Sequence, residues 1–199
     1  MTKPLIIGLT GSIGMGKSAV AAMLADEGIP VFDADAAVHD MQKPGGEMLP
    51  AIEKAFPGTT GAAGVDRKAL GAAVFGDRDR LAVLESIIHP AVAARRAAFL
   101  KAHADADIII FDIPLLFEKG GEANVDAVVV VSAPYAVQRA RVLERAGMTP
   151  EKFDQIVALQ MNDADKRARA DYVIDTGQDI QATHQDVREL VKKLRAGLA

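Results

Sequence analysis

The sequence predicts an α/β protein: a five-stranded parallel sheet flanked by helices, with a helical segment inserted after the second strand and a helical lid after the fourth. Three observations carry this. Short, uninterrupted apolar runs rich in β-branched residues alternate with stretches of helical spacing. The first run leads straight into a glycine-rich turn, and one long interval holds helical spacing and no convincing strand. Strands separated by helices give a parallel sheet, and right-handed crossovers stack helices on both of its faces.

Leu5 to Thr10 is short, apolar and followed by glycines, so it reads as a buried strand. In Ser18 to Glu27 the residues Val20, Met23 and Leu24 recur at helical spacing, and Gly28 stands where a helix ends. Pro30 to Phe32 is the second strand, Ile108 to Phe111 the third, Val125 to Val131 the fourth and Tyr172 to Ile174 the fifth. Between Asp35 and Ile108 the helices break at Pro44-Gly45-Gly46, Pro57-Gly58 and Gly61 to Gly64. Apolar spacing then resumes at Leu70, Val74, Leu81, Leu84 and Ile88. Residues 36–106 are therefore expected to form an inserted helical subdomain, with 1–35 and 107–199 as the core. Ala136 to Arg169 reads as a basic helical hairpin, broken at Gly147 and restarted by Thr149-Pro150-Glu151 as cap and first turn; this is the expected lid, within 136–169. Gln181 to Leu194 should be a closing amphipathic helix.

The chain has 199 residues, half of them apolar and a quarter charged, which suits one core with an insertion. There is no cysteine, and the four histidines are scattered, so a disulfide scaffold, a thiolate nucleophile and a Cys/His zinc site are set aside; any metal should be oxygen-bound. No apolar run approaches the ~20 residues of a bilayer span. The apolar stretch near the N-terminus is too short for a signal peptide, and cytoplasm is the expectation. A net charge of −4 argues against a general nucleic-acid binder, so anions must be held locally. A monomer is expected, with an oligomer as the alternative, and no nucleic-acid or membrane partner.

Gly11-Ser12-Ile13-Gly14-Met15-Gly16-Lys17-Ser18 fits G-x-x-x-x-G-K-[ST] between a strand and a helix, the setting of a P-loop NTPase. The glycines let successive N–H groups curl toward phosphate oxygens, and the helix start adds its positive dipole end. Lys17 would neutralise the β and γ phosphates, and the Ser18 hydroxyl is placed to coordinate magnesium bridging them. The sequence lacks Asn-Lys-x-Asp, and Asp112 is followed by Ile-Pro-Leu where a switch would carry Asp-x-x-Gly. A nucleotide-dependent regulatory switch is thus the weaker reading and a kinase the stronger.

Asp33 and Asp35 end the second strand, at the sheet edge where such folds bind ligands. Asp35 is assigned as the base that takes the acceptor hydroxyl proton, its alternative being an N-cap for Ala36-Ala37-Val38. Asp33 could join the magnesium shell, pair with Lys17 or terminate the strand. Asp112, also at a strand end, suits an outer partner of Ser18-bound magnesium. Glu118 either faces the acceptor or is a solvated loop charge. Arg141 and Arg145, one turn apart, would share a helix face and follow the transferring phosphoryl group, unless they are simply exposed beside Glu144 and Glu151. Lys166, Arg167 and Arg169 read as a solvated basic face with one nucleotide contact.

Taken together, Gly11 to Ser18, Phe32-Asp33-Ala34-Asp35, Ile88-His89-Pro90, Asp112 to Glu118, the Arg141/Arg145 helix and Ala170 to Asp175 resemble the dephospho-CoA kinase family nearly end to end. The resemblance implies a nucleotide core, a helical CoA-binding domain and a lid, with transfer of the ATP γ-phosphoryl group to the ribose 3'-hydroxyl of dephospho-CoA, aided by magnesium. It matches Asp35 to the base, and Arg67 and His89 to the acceptor-binding domain; read from the residues alone, His89 is a helix-end residue before proline. The candidate acceptor set is Asp33, Arg67, His89, Leu115 and Glu118. Ser12 and Met15 depart from the family's frequent Gly and Ser at wildcard positions, and Thr176-Gly177 replaces a frequent Asn near the adenine. The enzymatic rival is a nucleoside-monophosphate-type kinase, against which the long helical insert argues.

Overall fold

A computed structural model describes residues 3–198. Strand β1 (Leu5–Thr10) runs through the glycine turn into α1 (Lys17–Asp26), and Gly28, at φ +79°, lets the chain leave that helix for β2 (Val31–Asp33). Helix α2 (Ala34–Gln42) follows without a linker, then α3 (Leu49–Ala55), the two-residue strands β3 (Thr60–Gly61) and β4 (Gly64–Val65), α4 (Arg67–Val74) and the long α5 (Arg78–Ala102). The chain continues with β5 (Ile108–Asp112), a 3-10 turn at Gly121–Asn124, β6 (Ala127–Ser132), α6 (Tyr135–Leu143), α7 (Pro150–Ala158), α8 (Asp163–Arg169), β7 (Tyr172–Asp175) and α9 (Ile180–Ala196).

The five long-range strands form one sheet in the order β2-β5-β1-β6-β7. Gly8 of β1 pairs in parallel with Phe111 of β5 on one side and Val128 of β6 on the other. Both faces of the sheet are covered, so the side chains of β1, β5 and β6 are almost wholly buried. One face packs Ile7, Leu9, Val129 and Val131 against Val20 and Leu24 of α1 and Val187, Leu190 and Leu194 of α9. The other packs Val128 and Val130 against Leu116 and Phe117.

The chain divides into two compact units, one running up to Phe32 and resuming at His103, the other Asp33–Ala102. The second has its own core of Met41, Met48, Ile52, Phe56, Leu70 and Leu84. Its breaks are where the glycines and prolines put them, but the segment expected to lack strands contains the β3–β4 antiparallel ladder. Two-residue strands are too short to show alternation. The turn is held by Glu53, whose carboxylate accepts from Gly58 N–H at 2.7 Å and from the Thr60 hydroxyl at 2.7 Å. Gly64 closes it at φ +92°, where a Cβ would lie 2.4 Å from the Gln42 carbonyl.

The expected lid hairpin is three helices. Thr149 caps α7 as read, accepting from Lys152 N–H, but Asn162 accepts from Asp165 N–H and starts α8, a second cap hidden in a charged stretch. α5 also runs straight through Pro90, so His89 is an exposed mid-helix residue, not a helix end.

Candidate active site

The glycine loop is shaped by contacts on every side. Gly16 caps α1 at φ +84°, facing Thr176; Gly14, at φ +77°, lies so near α6 that a Cβ would be 2.5 Å from Val142 and 2.9 Å from the Gln138 carbonyl. A Cβ on Gly11 would meet the Val131 carbonyl at 2.7 Å. Gly14 is therefore required both by close approach and by φ, Gly11 by close approach and Gly16 chiefly by φ.

The loop lines a cavity of about 360 Å³ together with Pro114, Arg145, Ile156 and Gln160. Ser18 opens into it from the first turn of α1. Lys17 reaches across to an ion pair with Asp112, a carboxylate only 3% exposed at the end of β5. The two meet because β1 and β5 are register neighbours, Leu9 beside Asp112. The alternative partner for Lys17, Asp33, instead accepts from Ala36 N–H at 2.8 Å and caps α2. The cap thus belongs to Asp33 and not to Asp35, which lies exposed in the first helical turn. The chain turns from strand to helix between the two aspartates.

Arg141 and Arg145 also part company. α6 ends at Leu143, so Arg145 leaves the helix and lines the phosphate-loop cavity. Arg141 turns to Thr176, donating to its hydroxyl at 3.1 Å and its carbonyl at 2.7 Å, beside a second cavity of about 260 Å³ lined by Gly16, Ala19, Met23 and Gln178. Thr176 in turn donates to the Met15 carbonyl at 2.7 Å, joining the glycine loop to the turn after β7.

Glu118 is not a solvated loop charge. Its Oε1 lies 2.8 Å from Nζ of Lys166, which is completely buried, and accepts from Met161 N–H at 2.9 Å. Lys166 therefore leaves the expected solvated basic face and ties α8 to the loop after β5. Arg169 pairs with Glu122 over the Phe117 ring, while Arg167 stays exposed. Leu115 is half-buried in that same loop. In the other unit, Arg67 is exposed at the start of α4 and its guanidinium donates to Nδ1 of His39, beside Lys43 and a small cavity.

Burial by itself would raise the Glu118 carboxyl, but the hydrogen bonds from Lys166 and the Met161 N–H outweigh it and hold the group below its usual range. With the folded value below the unfolded one, the interaction stabilises above the ordinary glutamate range and is lost as pH falls through the lowered value. Glu118→Gln should cost about 3 kcal/mol at neutral pH by stranding Lys166, and should lose less further stability than the unsubstituted chain below about pH 4. Circular-dichroism melts from pH 7 to 3 check this; parallel stability curves for the two proteins would refute it.

A family profile described as dephospho-CoA kinase matches residues 5–182. The chain belongs to the dephospho-CoA kinase family. It is 63% identical over 195 residues to the dephospho-CoA kinase of Novosphingobium aromaticivorans, covering 98% of this chain and 97% of that one. It is 50% identical over 193 residues to that of Cereibacter sphaeroides, covering 97% of each. A Thermus thermophilus crystal structure superposes with TM-score 0.81 at 34% identity over the whole of both chains. The dephospho-CoA kinase of Campylobacter jejuni shares the fold, with TM-score 0.66 at 21% identity over 95% of this chain and 96% of that one. As a member of the family, the chain is an ATP-dependent kinase on a P-loop α/β fold. Among the described residues no helix is long and apolar enough to cross a membrane.

Reading the sequence missed Thr176 as a structural junction, and it missed Gln138 and Gln160. Both glutamines bond to the backbone of the glycine loop, and a glutamine in a helical stretch carries no motif that would announce it.

Proposed function

We propose that this chain transfers the γ-phosphoryl group of ATP to the 3'-hydroxyl of dephospho-CoA, giving CoA and ADP, the last step of coenzyme A biosynthesis. The observation that carries the reading is the Lys17–Asp112 pair on the open side of a glycine loop, in a chain of this family. Lys17 neutralises the β and γ phosphates. Arg145, which lines the same cavity, follows the charge that spreads over the transferring group. Arg141, braced on Thr176, belongs to the base end of the nucleotide and not to the phosphoryl group.

Asp35 takes the proton from the acceptor 3'-hydroxyl as that oxygen bonds to the γ-phosphorus. The bond from the γ-phosphorus to the bridging oxygen breaks, and ADP leaves with the electron pair. Asp33 supports this by holding the α2 cap, which frees the Asp35 carboxylate of any capping task. Exposed Arg67 and Lys43, beside His39, supply cationic groups for an anionic acceptor in the helical unit, and His89 lies exposed in α5. Leu115 offers half-buried apolar surface, and Glu118 engages Lys166 and the Met161 N–H through Oε1 alone.

Magnesium fits the donors present. Among the described residues no cluster of three acidic or histidine side chains gathers to bind a metal unaided, as suits an ion carried mostly by phosphates and water. Ser18 would hold it, with Asp112 oriented behind, and when bound it offsets charge on the β and γ oxygens. The reading includes a cytoplasmic monomer.

ADP release, followed by a coupled assay with ATP and magnesium, is expected on adding dephospho-CoA and not with AMP, CMP or shikimate. It should stop with a chelator and resume with excess magnesium. Release with AMP or CMP and none with dephospho-CoA would hand the chain to the nucleoside-monophosphate reading.

A further inference from the structure

Both peptide units that flank Ile13 are gripped by side chains from outside the glycine loop. The Ile13 N–H donates to Oε1 of Gln160 at 3.0 Å, and the Ile13 carbonyl accepts from Nε2 of Gln138 at 2.8 Å. Gln138 sits on α6 and is only 3% exposed, so its amide is dedicated to this contact. Gln160 follows α7, and its own backbone is fixed by its neighbour: Met161 N–H is held by Glu118, which is held by fully buried Lys166. Buried polar side chains aimed at backbone in this way fix its orientation.

In a trans peptide the carbonyl and the N–H point in opposite directions. Holding the Ile13 carbonyl on the α6 side therefore turns the Gly14 N–H away from α6, and that N–H takes part in no hydrogen bond among the described residues. The same peptide cannot relax toward α6, because Gly14 already lies against Val142 and the Gln138 carbonyl. Gln160 fixes the preceding peptide, whose Ser12 carbonyl accepts from Met15 N–H at 3.1 Å and closes the curl.

We propose that Gln138 and Gln160 are positioning residues that aim the Gly14 N–H at the nucleotide's terminal phosphates, so that the loop presents its donors before nucleotide arrives. The inference rests on the reading of this loop as the phosphate cradle.

The test is the preference for ADP over AMP, measured by calorimetry on the full chain, the unsubstituted protein and two variants. Gln138→Met keeps the shape and removes the donor; Gln160→Met does the same for the acceptor at a half-buried position where folding is not at risk. Each is expected to weaken ADP binding about tenfold, the upper effect of one lost hydrogen bond, while AMP binding stays within about twofold. Variants that keep the ADP preference, or lose ADP and AMP in parallel, overturn the proposal. An unsubstituted chain with no preference for ADP overturns the phosphate-cradle reading beneath it. Should Gln138→Met fail to fold, Gln160→Met decides alone.

Discussion

Asp35→Asn is expected to lower kcat by about 10²- to 10³-fold while leaving ATP affinity within about twofold. Asparagine has the same shape and can still accept a hydrogen bond from the acceptor hydroxyl, but it cannot take the proton, so the loss falls on turnover. The neighbouring aspartate provides the contrast. Asp33→Ala removes the α2 cap and should cost about 1 kcal/mol of stability, visible as a lower unfolding midpoint. Single-turnover kinetics with calorimetric ATP binding separate the two. Full turnover in Asp35→Asn would take the base role from this residue, and a matched loss of ATP affinity would make its role structural.

The second large effect belongs to Lys17. Lys17→Met should reduce kcat/KM for ATP by about 10²- to 10³-fold, because the ammonium meets the phosphate charge in the ground state and in the transition state. Lys17→Arg should restore little of it. The cavity is built around a slender side chain that reaches Asp112, and a planar guanidinium has a different reach and fork. Initial rates over a range of ATP concentration check this, and an arginine variant with near-full activity would mean that charge alone is needed there.

How much of this could be read from the chain follows from where the information sits. The strands were legible because β5 and β6 are buried on both faces, which forces continuous apolar runs. The glycine loop was legible because its backbone geometry admits few residue types. Lys166 was not: in Asp165-Lys-Arg-Ala-Arg it looks solvated, and its burial depends on Glu118, far away in sequence. Nor was the separation of Arg141 from Arg145, since their spacing means a shared face only if the helix continues, and it stops at Leu143. Which of Asp33 and Asp35 caps the helix was not legible either, because the strand becomes a helix between them. Lys166 was decided by a partner distant in sequence, and the arginine and aspartate pairs by a change of backbone conformation that spacing alone does not carry.

Lysine has one of the most freely rotating side chains, and immobilising it costs up to about 2 kcal/mol in lost rotamer entropy. In this fold that cost is met as the chain folds, when Asp112 draws the Lys17 stem into one arrangement. A triphosphate then encounters a cation that is already still, and less of the favourable energy of contact is consumed in ordering the receptor.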